Sequence, residues 1–166
     1  MLIKNILLLL MLISYIIPII YVKIFFNMNS SISDIISNEK NGGVNKIVLI
    51  PMILMGFFTI LYEINRKDVI SFIIIIFLLI GIIGVIFINI QNSLHFFYAF
   101  IVFISIISFM IYHTLIIKSN ILFNMVYMNL LLMDYIIIKI NDNIFYHEVL
   151  YILIFGVFYI LLHFIK

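Results

Sequence analysis

The sequence predicts an all-α, polytopic membrane protein: one transmembrane domain over residues 1–166, built as a six-helix bundle with a longer loop between helices 1 and 2. Three observations carry this. The chain is 67% hydrophobic and only 10% charged, whereas a soluble domain carries roughly 25% charged residues, so it cannot coat a water-facing surface. Apolar runs of about 20 residues, the length that crosses a bilayer, recur along the chain. Short polar breaks separate them. The wealth of Ile, Asn, Lys and Phe resembles an AT-rich coding sequence, so the β-propensity of Ile carries little weight. In hydrocarbon, a helix satisfies every backbone N–H and C=O within one segment.

The spans follow in order. The first covers about Asn5 to Phe26, with Pro18 as an expected kink; it lacks a small-residue cleavage site and is expected to stay in the mature chain. The second covers Lys46 to Glu63, with Pro51 tolerated near its first turn. The third covers Val69 to Ile88, the fourth His95 to Ile117, the fifth Ile121 to Ile138 and the sixth Phe145 to Ile165. The first break, "NMNSSISDIISNEKNGGVN", has nineteen residues and a Gly42-Gly43 turn. The others are "INRKD", "NIQNS", "KSN" and "KINDN".

Six spans place both termini on one side. That side carries Lys4, Arg66, Lys67, Lys118 and Lys166, five basic residues against the four (Lys23, Lys40, Lys46, Lys139) opposite. The positive-inside rule then favours cytoplasmic termini. Asn29-Ser30-Ser31 matches a glycosylation acceptor in the first outer loop.

Several classes fall away. A net charge of +2 suggests no nucleic-acid partner. The absence of cysteine excludes disulfides and thiolate metal sites. No phosphate loop, nucleophile elbow or Walker motif is present, and no catalytic residue or cofactor is assigned. His95 and His113 stand about 27 Å apart along one helix and cannot share a metal.

Helical phase places His95, Tyr98, Ala99, Val102, Ser105, Tyr112 and His113 on one face of span four. Asn120, Asn124, Tyr127 and Asp134 share a face of span five, and Gly56, Thr59 and Glu63 one of span two. These stripes serve either helix packing or a polar cavity between the spans. Glu63 and Asp68 flank Arg66 and Lys67, which reads as a solvated inner loop with locally paired charges. Asp134, His147 and Glu148 fall on the same side as His95. With Asn89, Gln91 and Asp34 they make a candidate outer-surface binding cluster. His and carboxylate are legitimate zinc ligands, but no HxxxH or HExxH spacing occurs and no metal is assigned. The bland alternative is a tight turn at "NIQNS" whose amides satisfy free helix ends.

"INIQNSLHFFYAF" resembles the start of span four in the DRAM (damage-regulated autophagy modulator) family of small six-span membrane proteins. The matching residues are Asn89, Gln91, His95 and Ala99, and "SISD", Ser31 to Asp34, resembles the family's I-S-D element in the first loop. The family's Pro- and Gly-containing stretch around that element is absent, and Phe96 follows the His where relatives often have Gly. The resemblance implies an endomembrane or plasma-membrane protein, without established catalytic activity, that modulates lipid composition, trafficking or autophagy by binding membrane lipids or other membrane proteins. It also implies that Asp34, Asn89, Gln91 and His95 hold the long loop over the mouth of spans three and four, or bind a lipid headgroup. Two alternatives stand beside it: a lipid-modifying enzyme using His95, Asp134, His147 or Glu148, and a channel, transporter or respiratory-complex subunit.

Overall fold

The computed structural model describes residues 2–25, 32, 35, 42–89, 91–139 and 145–165, and helix is the only regular secondary structure among them. Six helices follow in order: α1 Leu2–Phe25, α2 Gly42–Arg66, α3 Val69–Phe87, α4 Ser93–Ile117, α5 Asn120–Ile138 and α6 Phe145–Ile165. All six are long and apolar enough to cross a bilayer. The chain is a multi-pass integral membrane protein.

The apolar residues are divided between core and lipid by helical phase. In α1, Leu7, Leu8, Met11, Ser14, Pro18 and Val22 are buried, while Ile6, Leu9, Ile13, Ile16 and Ile20 are exposed. The three-to-four spacing is that of an amphipathic helix, but both faces are apolar. In water such exposure would drive association; in hydrocarbon it costs nothing.

The helices depart from expectation at α2. Gly42-Gly43 opens the helix instead of forming a turn. Pro51 therefore sits in the helix interior, where it leaves the Ile47 carbonyl without its usual helical donor. The helix also runs beyond Glu63 to Arg66, which carries Glu63 inside the bundle.

Two tight turns close the end that holds "INRKD" and "KSN". Lys67 takes φ 62° and its N–H donates to the Glu63 carbonyl at 3.2 Å. Lys118 takes φ 55° and donates likewise to Thr114 at 2.8 Å. Left-handed conformations cost a non-glycine residue about 1–2 kcal/mol. Here they reverse the chain within two residues and set a lysine at each helix C-terminus, where the dipole favours a cation. Asp68 then caps α3, its Oδ1 accepting from the Ser71 N–H at 3.1 Å.

Packing is uneven. α1 lies mainly along α2, and α3 along α4, while α6 touches α1 and α4 only lightly. The α3–α4 approach depends on Gly81 and Gly84. A Cβ on Gly81 would meet Val102 Cγ2 at 2.9 Å and the Tyr98 carbonyl oxygen at 3.1 Å, and one on Gly84 would run into the Tyr98 ring. A Cβ on Gly156 of α6 meets nothing within 4 Å. The loose seating of α6 leaves a space inside the bundle. A second, smaller core closes the far end: Val22, Val48, Ile86 and Phe145 gather around Ile35 of the long loop.

These contrasts predict opposite outcomes for two identical changes. Gly84→Ala overpacks the α3–α4 seam and lowers stability by about 1–3 kcal/mol. Gly156→Ala gains helix propensity with no clash and leaves stability equal or up to about 1 kcal/mol higher. Thermal unfolding in one detergent, read by circular dichroism, separates them.

Candidate functional site

The bundle has a polar structure at each end and a cavity between them. At the end formed by the α3–α4 turn, Asn89 and Asn92 serve the backbone. Asn89 Oδ1 accepts from the Gln91 N–H at 3.0 Å, and Asn92 Oδ1 caps α4 by accepting from Leu94 N–H at 3.0 Å. The His95 ring is 1% exposed and its Nδ1 lies 2.7 Å from the Ile88 carbonyl oxygen. A carbonyl only accepts, so the proton sits on Nδ1, leaving Nε2 as a buried acceptor without a hydrogen-bond partner. Gln91 is exposed. These residues build and anchor the turn.

Asp134 is exposed on α5. His147 lies against the Tyr135 ring, centroids 4.4 Å apart. Asp34 lies outside the described residues. Glu148 does something the sequence did not suggest: its Oε2 accepts the Ile32 N–H at 2.7 Å and fastens the long loop to the first turn of α6. No group of three or more His, Asp or Glu side chains is placed to hold a metal among the described residues.

The polar stripes divide. On α4, His95, Ser105 and His113 point into the bundle. On α5, Asn120, Asn124, Tyr127 and Asp134 share a face as expected, but it is the exposed one.

At the opposite end stands a buried ion-pair network that sequence reasoning took for a solvated loop. Glu63 is 1% exposed. Its Oε1 faces Arg66 Nη1 at 3.4 Å and accepts from the Tyr159 hydroxyl. Its Oε2 accepts from Ser71 Oγ at 2.6 Å. His113 Nε2 lies 3.3 Å from Ser71 Oγ, and Nδ1 lies 3.1 Å from Arg66 Nη2. These contacts fix the protons. Guanidinium can only donate, so His113 Nδ1 accepts, and the proton on Nε2 points at Ser71. The single Ser71 hydroxyl proton goes to Glu63. The Arg66 guanidinium also lies 5.6 Å from the centroid of the Phe109 ring, a favourable place for a cation. One carboxylate thus ties α2, α3 and α6 together, and His113 of α4 joins through Ser71 and Arg66. Beside it, Tyr62 faces His163 Nδ1 at 2.8 Å, and His163 Nε2 faces Asn5 Oδ1 of α1 at 2.9 Å.

Asp68 sits at the rim, between α2 and α3. Partial burial opposes its ionisation. The hydrogen bonds from Ser71 N–H and from Tyr112 Oη (3.0 Å), with the charge of Arg66 nearby, outweigh that and hold its carboxyl below the usual carboxylate range.

Between the two ends lies a cavity of about 190 Å³. Apolar side chains from α1, α2, α3, α4 and α6 form its walls, among them Met11, Met55, Leu78, Ile106 and Phe155. Glu148 and Ile32 border it at the loop end; Thr59 and Tyr159 border it toward the ion-pair network. Tyr159 therefore has its ring on the cavity and its hydroxyl on Glu63. Ser71, His113 and Glu63 do not line it.

Part of this was visible in the sequence. Gly56, Thr59 and Glu63 on one face pointed Glu63 inward, and His113 lay on the polar face of α4. Nothing marked Tyr159 or Ser71, because their role depends on which helices become neighbours. Comparison with protein-family models, with curated proteins and with solved structures found no match.

Two predictions follow from the network. Glu63→Ala strands Arg66 and two hydroxyl donors and costs about 3–5 kcal/mol, as removal of one partner from a buried pair does. Glu63→Leu combined with Arg66→Met recovers most of that loss, measured as denaturation midpoints of purified protein. Asp68 gives a pH dependence. Its carboxyl has a lower pKa in the folded chain than in the unfolded one, so its contribution is present above the unfolded value, near 3.9. It is lost as pH falls through the folded value. Melts between pH 6 and about pH 3 should fall more steeply for the native chain than for Asp68→Asn.

Proposed function

We propose that this protein is a non-enzymatic membrane protein that binds a lipid-derived apolar ligand inside its helix bundle and so modulates membrane lipid composition or trafficking. One observation carries the reading: the apolar cavity between α1, α2, α3, α4 and α6. It is larger than the ~150 Å³ apolar cavity that suffices to bind benzene. Ligand sites are concave, mostly apolar and furnished with a few polar groups, and Glu148 is such a group here. Binding rather than catalysis is favoured by the placement of Ser71. This hydroxyl touches a carboxylate and an imidazole, but it is 0% exposed and lies off the cavity wall. A part in autophagy is what the DRAM resemblance at Asn89, Gln91, His95 and Ala99 adds to the proposal.

A second reading, a transporter, draws on Tyr159, which borders the cavity and bonds to Glu63 at the opposite end. Proton or solute flux in proteoliposomes that Tyr159→Phe slows would select it.

The binding reading predicts that a photoactivatable alkyl alcohol labels cavity-wall residues of the purified chain. Gly156→Phe, which fills open space, should abolish that labelling and leave labels on the lipid-facing surface. Labelling confined to the outer surface in both proteins, or turnover of a lipid substrate by the purified chain, would overturn it.

A further inference from the structure

Glu148 is a carboxyl group in an apolar setting, without a counter-ion among the described residues. It occupies the first turn of α6 and borders the cavity. Oε2 is engaged by the Ile32 N–H at 2.7 Å. Burial among apolar side chains disfavours the ionised form, while that bond, the positive end of the helix dipole and any cation brought to the free oxygen favour it. No lysine, arginine or histidine pairs with it among the described residues; the single ion pair there is Glu63–Arg66. The contrast with Glu63 is instructive, since Glu63 has a guanidinium and two hydroxyls around it. An ionised group inside a membrane bundle is expensive unless paired, and such groups mark ligand or ion sites.

The cavity gives that missing cation a direction. Glu148 and Tyr159 are eleven residues apart on α6, about 16 Å along the axis, and both border the same apolar space. An occupant lying between them meets a carboxylate at one end and hydrocarbon along its length. Gly156 adds width toward the Tyr159 end, because nothing lies within 4 Å of where its Cβ would be. A fatty acid would set carboxylate against carboxylate. A long-chain amine places its ammonium on the open Glu148 oxygen and its chain against Met55, Leu78, Ile106 and Phe155.

We propose that the cavity is a site for a cationic single-chain amphiphile, a long-chain amine whose ammonium group pairs with Glu148 at the loop end. This rests on the cavity reading above and adds the identity of the head group. The ligand ammonium and the Ile32 N–H then share one carboxylate, so occupancy also bears on how firmly the long loop is held.

The test uses the purified full-length chain and three probes of equal chain length: dodecylammonium, dodecanol and dodecanoate. Each displaces the photoactivatable alkyl alcohol from the native protein, from Glu148→Gln and from Gly156→Phe. Glu148→Gln keeps an acceptor for the Ile32 N–H, so the loop contact survives while the charge is gone. The expected result is that dodecylammonium binds the native chain about ten-fold or more tighter than dodecanoate, a difference near 1.4 kcal/mol. Glu148→Gln should abolish that preference and leave dodecanol unchanged. Equal affinities in the native chain, or an order led by dodecanol or dodecanoate, overturn the head-group assignment and leave the cavity reading standing. Absence of displacement by all three, or displacement unaffected by Gly156→Phe, overturns the cavity reading and this proposal with it.

Discussion

Glu63 is a carboxylate in a place that water does not reach, and the inner half of the bundle is arranged around that cost. Moving a charge out of water costs several kcal/mol even after the surroundings relax. Arg66 alone, at 3.4 Å, does not offset this. Ser71 and Tyr159 complete the shell, and His113 orients both Arg66 and Ser71. Each group comes from a helix that lipid would otherwise leave free to slide, since hydrocarbon outside is no less favourable than hydrocarbon inside. Hydrogen bonds between helices therefore supply registry here that apolar packing cannot. The network fixes the ends of α2, α3, α4 and α6 relative to one another, and the Asn5–His163–Tyr62 chain adds α1.

That end fixes α6 through Tyr159 and His163. α6 touches α1 and α4 lightly, Gly156 faces open space, and the apolar cavity results. At the far end, closure is of another kind: Ile35 buries itself among Val22, Val48, Ile86 and Phe145, and Glu148 holds the loop through Ile32.

The sequence made the six spans legible because bilayer thickness and backbone hydrogen bonding leave helices few choices of length. It made the "NIQNS" turn legible as well, since Asn89 and Asn92 do what short amide side chains do at helix ends. It misread α2 because Gly42-Gly43 and Pro51 carry local preferences that the surrounding bundle overrides. It read the local pairing of Glu63 with Arg66 but misread its setting as solvated, because a charge pair at a span end looks alike whether water or helices enclose it, and only the positions of Ser71 and Tyr159 tell the two apart. The α5 stripe shows the same ambiguity in reverse: Asn120, Asn124, Tyr127 and Asp134 share a face, yet helical phase alone does not say which way a face points.

The central claim is that the bundle is held open around a ligand. Native mass spectrometry of the intact chain, released from mild detergent, tests it most directly. The account predicts one retained amphiphile per native chain, equal retention in Ile80→Phe on the lipid-facing side of α3, and none in Gly156→Phe. Identical adduct patterns in all three proteins would contradict it and leave the cavity as no more than a packing defect.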